Sequence, residues 1–281
     1  MAREKRKKKK SGKKRSRELW VGLAAVATAM VVLLALGLTI PGTSGPAETV
    51  PRFTAPKTGQ PEENIYGPED FRMENGYMTC TAGESILGID VSAHQEEVDW
   101  LQVADAGMKF AMVRLGYRGY ESGAVLADSN VWENLRGARE AGLQVGAYFY
   151  SQALSVEEAL EEAEFCLELL DGYPLDFPLV FDWEYAGEGT RTEIFDSRTV
   201  TDCTVAFCET VRQGGYKPMV YFNTHLAREG FLLEELTAYD FWLAMYDVPM
   251  DFPYRVQMWQ YTQSGTVPGI EAAVDINLYL P

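Results

Sequence analysis

From Ser85 to the C-terminus the chain alternates short apolar runs with amphipathic stretches, and this alternation restricts its fold more than any other feature. Short apolar runs bounded by turn residues predict buried strands, and the stretches between them carry helix start and stop signals. Ser155 and Glu158 have the spacing of a capping box, and Gly142 lies just past a helical stretch. Regular alternation of strands and helices predicts a parallel sheet.

Eight strands and five helices can be placed along this part of the chain. The predicted strands cover residues 86–91, 110–115, 143–150, 179–182, 218–222, 241–246, 256–261 and 274–278. The predicted helices cover residues 98–106, 130–141, 155–170, 198–213 and 226–236. The last three strands leave little room for helices between them. Eight units of this size predict an α/β fold, an irregular TIM-like (β/α) barrel with about five helices.

The N-terminal segment has the charge pattern of a membrane anchor. Residues 1–18 contain eleven Lys or Arg against two Glu, and residues 19–40 contain no charged residue. Those twenty-two uncharged residues would form a helix about 33 Å long, which matches a hydrocarbon core of about 30 Å. Because basic segments stay on the cytoplasmic side, we expect a single-pass membrane protein with a cytoplasmic N-terminus and an extracellular domain. A cleaved signal peptide is the alternative, although its apolar region would be shorter.

The rest of the chain is strongly acidic, with fourteen Lys or Arg against thirty-nine Asp or Glu. A nucleic-acid-binding domain would carry its positive charge on the folded part, so this balance argues against nucleic acid as a partner. Residues 41–84 are rich in proline and have no apolar periodicity, which is typical of an extended extracellular linker. The domain is therefore predicted to cover residues 85–281, and residues 71–80 at the end of the linker are candidates for packing on it.

Four cysteines leave two interpretations open. If the domain is extracellular they allow three disulfide pairings, and buried free thiols are equally compatible with the sequence. The four are Cys80, Cys166, Cys203 and Cys208. With two histidines and no Cys-x-x-Cys pair, neither a Cys/His metal site nor a cofactor is expected.

The strand predicted at 179–182 ends in two carboxylates. In the stretch Pro-Leu-Val-Phe-Asp-Trp-Glu, Asp182 and Glu184 are spaced i, i+2 and therefore point to the same face of the strand. Two acids at the end of an apolar strand are costly unless they are hydrated, paired or used. Glycosidic bond cleavage uses such a pair, because one carboxyl protonates the leaving oxygen and the other responds to the positive charge at the anomeric carbon. A strand that simply runs out into solvent is the alternative.

The ends of the other predicted strands carry further acids and many aromatic residues. In a TIM-like barrel the working residues lie at the carboxyl ends of the strands. Asp90 and Asp275 lie at two of these ends, so four acids are predicted to share one rim. Aromatic side chains around them are suited to stacking on sugar faces, and core packing is the alternative for any single one. The candidate substrate-binding residues are Tyr117, Tyr148, Tyr150, Tyr221, Asn223, Trp242, Tyr246, Trp259, Gln260 and Tyr261.

Five short motifs stand in order at these strand ends. They are Gly-Ile-Asp90-Val-Ser, Phe-Asp182-Trp-Glu184, Trp242-Leu-Ala-Met-Tyr246, Trp259-Gln-Tyr261 and Val-Asp275-Ile-Asn277. Together they resemble the lysozymes of glycoside hydrolase family 25, over about residues 85–281. The resemblance implies an irregular barrel of eight strands and about five helices. It also implies hydrolysis of the β-1,4 bond between N-acetylmuramic acid and N-acetylglucosamine, with peptidoglycan glycan strands as the partner.

The resemblance also implies a catalytic role for each acid. Glu184 matches the general acid, and Asp182 matches the residue that stabilises the transition state by orienting the 2-acetamido group of the substrate. Asp90 and Asp275 match two further acids that line the site. A general acid must hold its proton near neutral pH, and neighbouring carboxylates raise the pKa of Glu184 in the required direction.

Two other functions are compatible with parts of this pattern. A barrel could bind cell-wall glycan without cutting it, although such a module would not need both Asp182 and Glu184. A chitinase-like hydrolase would carry additional acids before the pair on the fourth strand, where this chain has Pro178 and Val180. Typical secreted lysozymes lack the anchor that is predicted here. This difference affects the expected cellular location and role of the enzyme more than its chemistry.

Overall fold

A computed structural model describes residues 59–246 and 249–281, and within these ranges eight strands close into a barrel accompanied by five α-helices. The predicted basic tail and anchor, residues 1–40, lie outside the described residues, as does the predicted linker up to residue 58. Among the helices in the described ranges, none combines the length and the apolar character needed to cross a membrane.

The elements follow the predicted alternation. The strands in the described ranges are β1 (Phe71–Glu74), β2 (Tyr77–Cys80), β3 (Ile86–Val91), β4 (Phe110–Arg118), β5 (Val125–Ala127), β6 (Gln144–Ser151), β7 (Leu179–Trp183), β8 (Pro218–Asn223), β9 (Asp240–Ala244), β10 (Met258–Gly265) and β11 (Val274–Tyr279). The helices are α1 (Trp100–Asp105), α2 (Val131–Glu140), α3 (Val156–Leu170), α4 (Ser197–Gln213) and α5 (Leu226–Glu229).

The predicted helix at 226–236 is the element that differs most from expectation. It is reduced to the single turn of α5 and a separate 3-10 turn at Leu233–Glu235. Gly230 follows α5 directly, and the N–H groups of Gly230 and Phe231 both donate to the carbonyl of Leu226. Glycine is a poor helix former, so the chain leaves the helix there and buries Phe231 instead.

The barrel closes in the order β3-β11-β10-β9-β8-β7-β6-β4, with β4 pairing back onto β3. All neighbours in this ring are parallel except β11, which runs antiparallel to both β10 and β3. The prediction of a fully parallel sheet was therefore wrong for the last strand. Only residues 266–273 connect β10 to β11, and a parallel neighbour would need a crossover of about a dozen residues or more.

Two apolar layers fill the domain, one inside the barrel and one between the barrel and its helices. The closed end of the interior is packed with aromatic rings, since Phe177 stacks on Phe110 at 4.5 Å and meets Tyr279 edge-on at 5.0 Å. Gly88 leaves room for this packing, because a Cβ at that position would lie 2.5 Å from the Phe110 ring. The buried acids Asp90 and Asp182 lie toward the opposite end, near the ends of β3 and β7.

Residues 59–84 belong to the folded unit, although the linker was predicted to extend to residue 84. The backbone N–H of Gly59 donates to the carbonyl of Glu234 at 2.8 Å. β1 and β2 form an antiparallel hairpin, whose Phe71 ring packs edge-on against Trp259 at 5.0 Å. The hairpin thus covers apolar side chains on the outside of the barrel, as residues 71–80 were candidates to do.

All four cysteines are buried free thiols, so the disulfide interpretation is not realised. Cys166, Cys203 and Cys208 lie on α3 and α4 in the layer between helices and barrel. Burial raises the pKa of each of these three thiols, which keeps them protonated and unreactive.

Candidate active site

Four carboxyl groups meet at the open end of the barrel. Asp90 lies near the end of β3, Asp182 near the end of β7, and Glu184 follows β7 directly. Asp275 lies near the start of β11, not at its end, and it pairs directly with Asp90 across the two strands. Because β11 runs antiparallel, its first residues reach the same rim as the last residues of its neighbours. Asp275 therefore lies at the predicted rim, although the predicted direction of its strand was wrong.

Asp90 and Asp275 form a buried acidic pair. Asp90 Oδ1 accepts hydrogen bonds from Asn277 Nδ2 at 2.7 Å and from Gln260 Nε2 at 2.8 Å. Burial raises the pKa of Asp90, and these two donors oppose that rise. Burial, followed by the charge of Asp90, raises the pKa of Asp275 to about 8. At neutral pH the pair therefore holds one proton on Asp275, which donates to Asp90.

Asp182 is buried with an incomplete hydrogen-bond shell. Its Oδ1 is inaccessible to solvent and has no hydrogen-bond partner among the described residues. Burial, followed by the charge of Glu184, raises the pKa of Asp182 well above its ordinary value. A buried polar atom without a hydrogen-bond partner is rare in folded proteins.

Glu184 is half-buried and has no cationic partner. Burial raises its pKa, a hydrogen bond with Tyr221 opposes the rise, and the charge of Asp90 adds to it. No Lys or Arg in the described ranges forms an ion pair with Glu184, and the nearby Arg114 instead pairs with Asp128 at 2.8 Å. A carboxyl in this setting keeps its proton at a higher pH than an ordinary glutamate, as a general acid must.

A buried glutamine that sequence analysis missed holds the backbone of Glu184. Gln152 Nε2 donates to the carbonyl of Glu184 at 2.6 Å, and Gln152 Oε1 accepts from Thr192 Oγ1 at 3.0 Å. Thr192 Oγ1 in turn accepts from the N–H of Ala186 at 3.0 Å, so the loop after β7 is tied to the end of β6. The two-residue alternation through Tyr148 and Tyr150 could have identified Gln152, since it is the next position on that face.

The predicted substrate-binding residues divide into three groups by exposure. Those that are half-buried at the rim, and can contact a bound molecule, are Tyr117, Tyr150, Asn223 and Tyr246. Those that lie almost fully buried beneath the acids are Tyr148, Tyr221, Trp242 and Gln260. The buried members hold the site by hydrogen bonds, such as that from Trp242 Nε1 to Asn277 Oδ1 at 2.8 Å.

Trp259 and Tyr261 form the third group, and the structure does not bring them to the rim. Alternate residues of a strand face opposite sides, so the inward position of Gln260 directs both neighbours outward. Trp259 is fully buried against Phe71, and the Tyr261 hydroxyl accepts from the N–H of Met78 at 3.3 Å. Both aromatic residues therefore anchor the β1–β2 hairpin, and the prediction that they contact substrate does not fit their position.

A groove with a volume of about 670 Å³ lies beside the rim residues Asn223 and Tyr246. Asn223 and Tyr246 line it, together with Arg228 from α5 and Tyr254 from the segment before β10. A volume of this size is typical of sites for small molecules.

Comparison of the sequence with known families decides between the possible hydrolases. Residues 89–270 match the model of the glycosyl hydrolases family 25. The chain belongs to glycosyl hydrolase family 25. The resemblance found in the motifs is thereby confirmed, and this family 25 chain is a glycoside hydrolase. Asp275 and Asn277 lie just beyond the matched range, on the antiparallel strand.

Individual relatives agree with the family assignment. The uncharacterized protein YegX of Escherichia coli K12 is 31% identical over 206 residues, which cover 70% of this chain and 71% of YegX. Lysozyme M1 of Streptomyces globisporus is 26% identical over 243 residues, which cover 78% of this chain and 72% of that protein. The modular autolysin LytC of Streptococcus pneumoniae, solved with a synthetic peptidoglycan ligand, is 26% identical with a TM-score of 0.61. The match covers 70% of this chain and 47% of LytC, so the chain spans about half of that modular protein.

Proposed function

We propose that this family 25 enzyme hydrolyses the β-1,4 bond between N-acetylmuramic acid and N-acetylglucosamine in peptidoglycan. The observation that carries the proposal is the position of Asp182 and Glu184 on one face at the mouth of the barrel, with raised pKa values and no cationic partner for Glu184. The peptidoglycan ligand of LytC and the name of Lysozyme M1 support the choice of substrate.

In the first step Glu184 acts as the general acid. Its proton passes to the glycosidic oxygen as the bond from that oxygen to the anomeric carbon breaks. The carbonyl oxygen of the sugar's own 2-acetamido group attacks the anomeric carbon, and the acetamido N–H donates to Asp182. In the second step water attacks the anomeric carbon as the bond from that carbon to the acetamido oxygen breaks, and the water gives a proton to the Glu184 carboxylate. The acetamido group and the acid are thereby both restored.

This role requires Asp182 to be ionised when the substrate is bound. In the free enzyme, burial and the charge of Glu184 raise the pKa of Asp182. An acetamido N–H that donates to the Asp182 carboxylate would stabilise its ionised form and lower that pKa again. Substrate binding would therefore leave Asp182 ionised and the proton of the pair on Glu184.

The setting of the enzyme is a second part of the proposal. We propose that residues 19–40 anchor the chain in the cell membrane with residues 1–18 in the cytoplasm, which their length and flanking charge support. Protease added to intact cells stripped of their wall should then digest the barrel and spare the tail. Release of the whole chain by a salt wash would contradict the anchor.

Glu184→Gln tests the reaction, with Glu188→Gln as the matched control. Glu188 is exposed in the loop that follows, so removing its charge should leave hydrolysis unchanged. Loss of the general acid should slow the clearing of a peptidoglycan suspension by about 10²-fold or more, with an unchanged circular dichroism spectrum. Mass spectrometry of the fragments should show N-acetylmuramic acid at the new reducing ends. A wild-type chain that binds peptidoglycan and releases no fragments would instead identify a glycan-binding barrel.

A further inference from the structure

Gln260 occupies the centre of the polar network under the catalytic acids. Its Oε1 accepts from the Tyr246 hydroxyl at 2.5 Å and from the Tyr221 hydroxyl at 3.1 Å. Its Nε2 donates to Asp90 Oδ1 at 2.8 Å and to Asp275 Oδ2 at 3.4 Å. The side chain is 3% exposed, and both of its donors and both of its acceptor positions are used. It therefore has no hydrogen-bonding capacity left for a substrate, although the sequence suggested that role.

We propose that Gln260 is a positioning residue which keeps the negative charge of the acidic pair on Asp90, where it helps Glu184 to retain its proton. The proposal rests on the reaction proposed above and assigns the control of its general acid to a residue that does not touch the substrate.

The nitrogen and the oxygen of the Gln260 amide have different hydrogen-bond partners. On the side of Asp90 and Asp275 only an N–H is acceptable, because a carbonyl oxygen there would face two carboxyl groups. On the side of Tyr221 and Tyr246 the amide oxygen accepts from the two hydroxyls. The two carboxyl groups therefore assign the orientation of the amide. Gln260 thereby joins the acids of β3 and β11 to the tyrosines of β8 and the β9 end.

Two amide donors distinguish Asp90 from Asp275. Asp90 Oδ1 accepts short bonds from Gln260 and Asn277, whereas Asp275 accepts a single long bond from Gln260. Hydrogen bonds from amides stabilise an ionised carboxylate, so the proton that the pair shares is directed to Asp275. No Lys or Arg in the described ranges pairs with either acid, which leaves the amides as the groups that stabilise the charge.

The charge of Asp90 reaches the general acid. It raises the pKa of Glu184, and it also raises the pKa of Asp182. The other titratable and charged groups that face the acids come from every neighbouring strand. They are Arg114 on β4, Tyr148 and Tyr150 on β6, Tyr221 on β8, Tyr246 after β9 and Asp275 on β11. Arg114 is already paired with Asp128, so the charge of Asp90 is not cancelled by it.

Gln260→Met tests this role, with Gln257→Met as the matched control. Methionine keeps the length of the side chain and removes the hydrogen bonds to both acids and both tyrosines. Gln257 lies three residues earlier and accepts from the N–H of Phe241 at 2.8 Å, at the end of the barrel away from the acids. The measurement is the pH dependence of kcat and KM for soluble glycan strands, using the full chain.

For Gln260→Met we expect the alkaline limit of kcat to move about one pH unit lower, with KM changed less than about twofold. At a pH above that limit, kcat should therefore fall about tenfold. Gln257→Met should reduce stability and leave both pH limits in place. A folded Gln260→Met variant with the pH limits of the wild type would overturn the proposal. An inactive wild-type chain would instead overturn the proposed reaction, so the two failures are distinguishable.

Gln260→Glu provides the second variant if the methionine variant does not fold. While its carboxyl is protonated it can donate to Asp90 and accept from the tyrosines, so activity at acidic pH should approach that of the wild type. As that carboxyl ionises it repels Asp90 and Asp275, and activity should fall at a lower pH than in the wild type. A profile of Gln260→Glu that superimposes on the wild-type profile would contradict the positioning role.

Discussion

Asp275→Asn removes a titrating carboxyl and leaves a side chain of the same shape that can still donate to Asp90. Burial and the charge of Asp90 raise the pKa of Asp275 from 3.8 to about 8. The pKa of such an acid is higher in the folded chain than in the unfolded chain. Its contribution to the free energy of unfolding is largest at a pH below the unfolded pKa. That contribution is lost as the pH rises toward the folded pKa. The asparagine side chain of the variant does not titrate, so its contribution to the free energy of unfolding does not change with pH.

The size of the effect follows from proton linkage. Between pH 5 and pH 7 the folded wild-type chain holds the proton on Asp275, and the unfolded chain has released it. Each pH unit then lowers the free energy of unfolding by about 1.4 kcal/mol. The variant should therefore gain about 2.7 kcal/mol relative to the wild type across these two units. The slope over this range is nearly the same for any folded pKa of about 8 or higher.

Urea unfolding at pH 5, 6 and 7, followed by the fluorescence of the buried tryptophans, measures this difference. Asp196→Asn is the control, because hydrogen bonds from Thr199 lower the pKa of Asp196 at the start of α4. Stability from a lowered pKa is lost only as the pH falls below about 4, so the control difference should be constant from pH 5 to 7. If the Asp275→Asn difference is also constant over this range, Asp275 is ionised in the folded chain and the description of the acidic pair is wrong.

Two further changes test the support of the site and of the barrel. Gln152→Met should lower kcat about tenfold with little change in KM, because the carbonyl of Glu184 loses its 2.6 Å hydrogen bond; unchanged kcat in a folded variant would show that Gln152 does not position the acid. Gly88→Ala should destabilise the fold by about 1–3 kcal/mol in urea unfolding, because its methyl group would meet the Phe110 ring. Adding Phe110→Leu should restore part of that loss, and a fully stable Gly88→Ala chain would refute the packing argument.

Local periodicity was sufficient to predict most of the barrel and its acidic rim. Asp182 and Glu184 could be placed on one face because successive strand residues alternate in direction, a property of the backbone alone. The same rule, continued by two residues past Tyr150, leads to Gln152. The motifs around Asp90 and Trp242 added the family, which the match over residues 89–270 confirms.

The errors came from information that no short stretch contains. The direction of β11 depends on how few residues connect it to β10. The position of Trp259 depends on the β1–β2 hairpin, which lies far away in the chain and covers the outer face of β10. Trp259 therefore faces the side of the sheet opposite to its neighbour Gln260.

The sequence by itself determined the alternating elements, the family and the identity of the acids, because each depends on residue types at short spacing. Only the tertiary structure decided how these acids share protons. The pKa of a carboxyl depends on burial and on charges and donors within a few ångströms, and Asp90 receives these from Gln260 and Asn277, far along the chain. Closure of the barrel creates that neighbourhood, and with it the difference between two acids that look equivalent in the sequence.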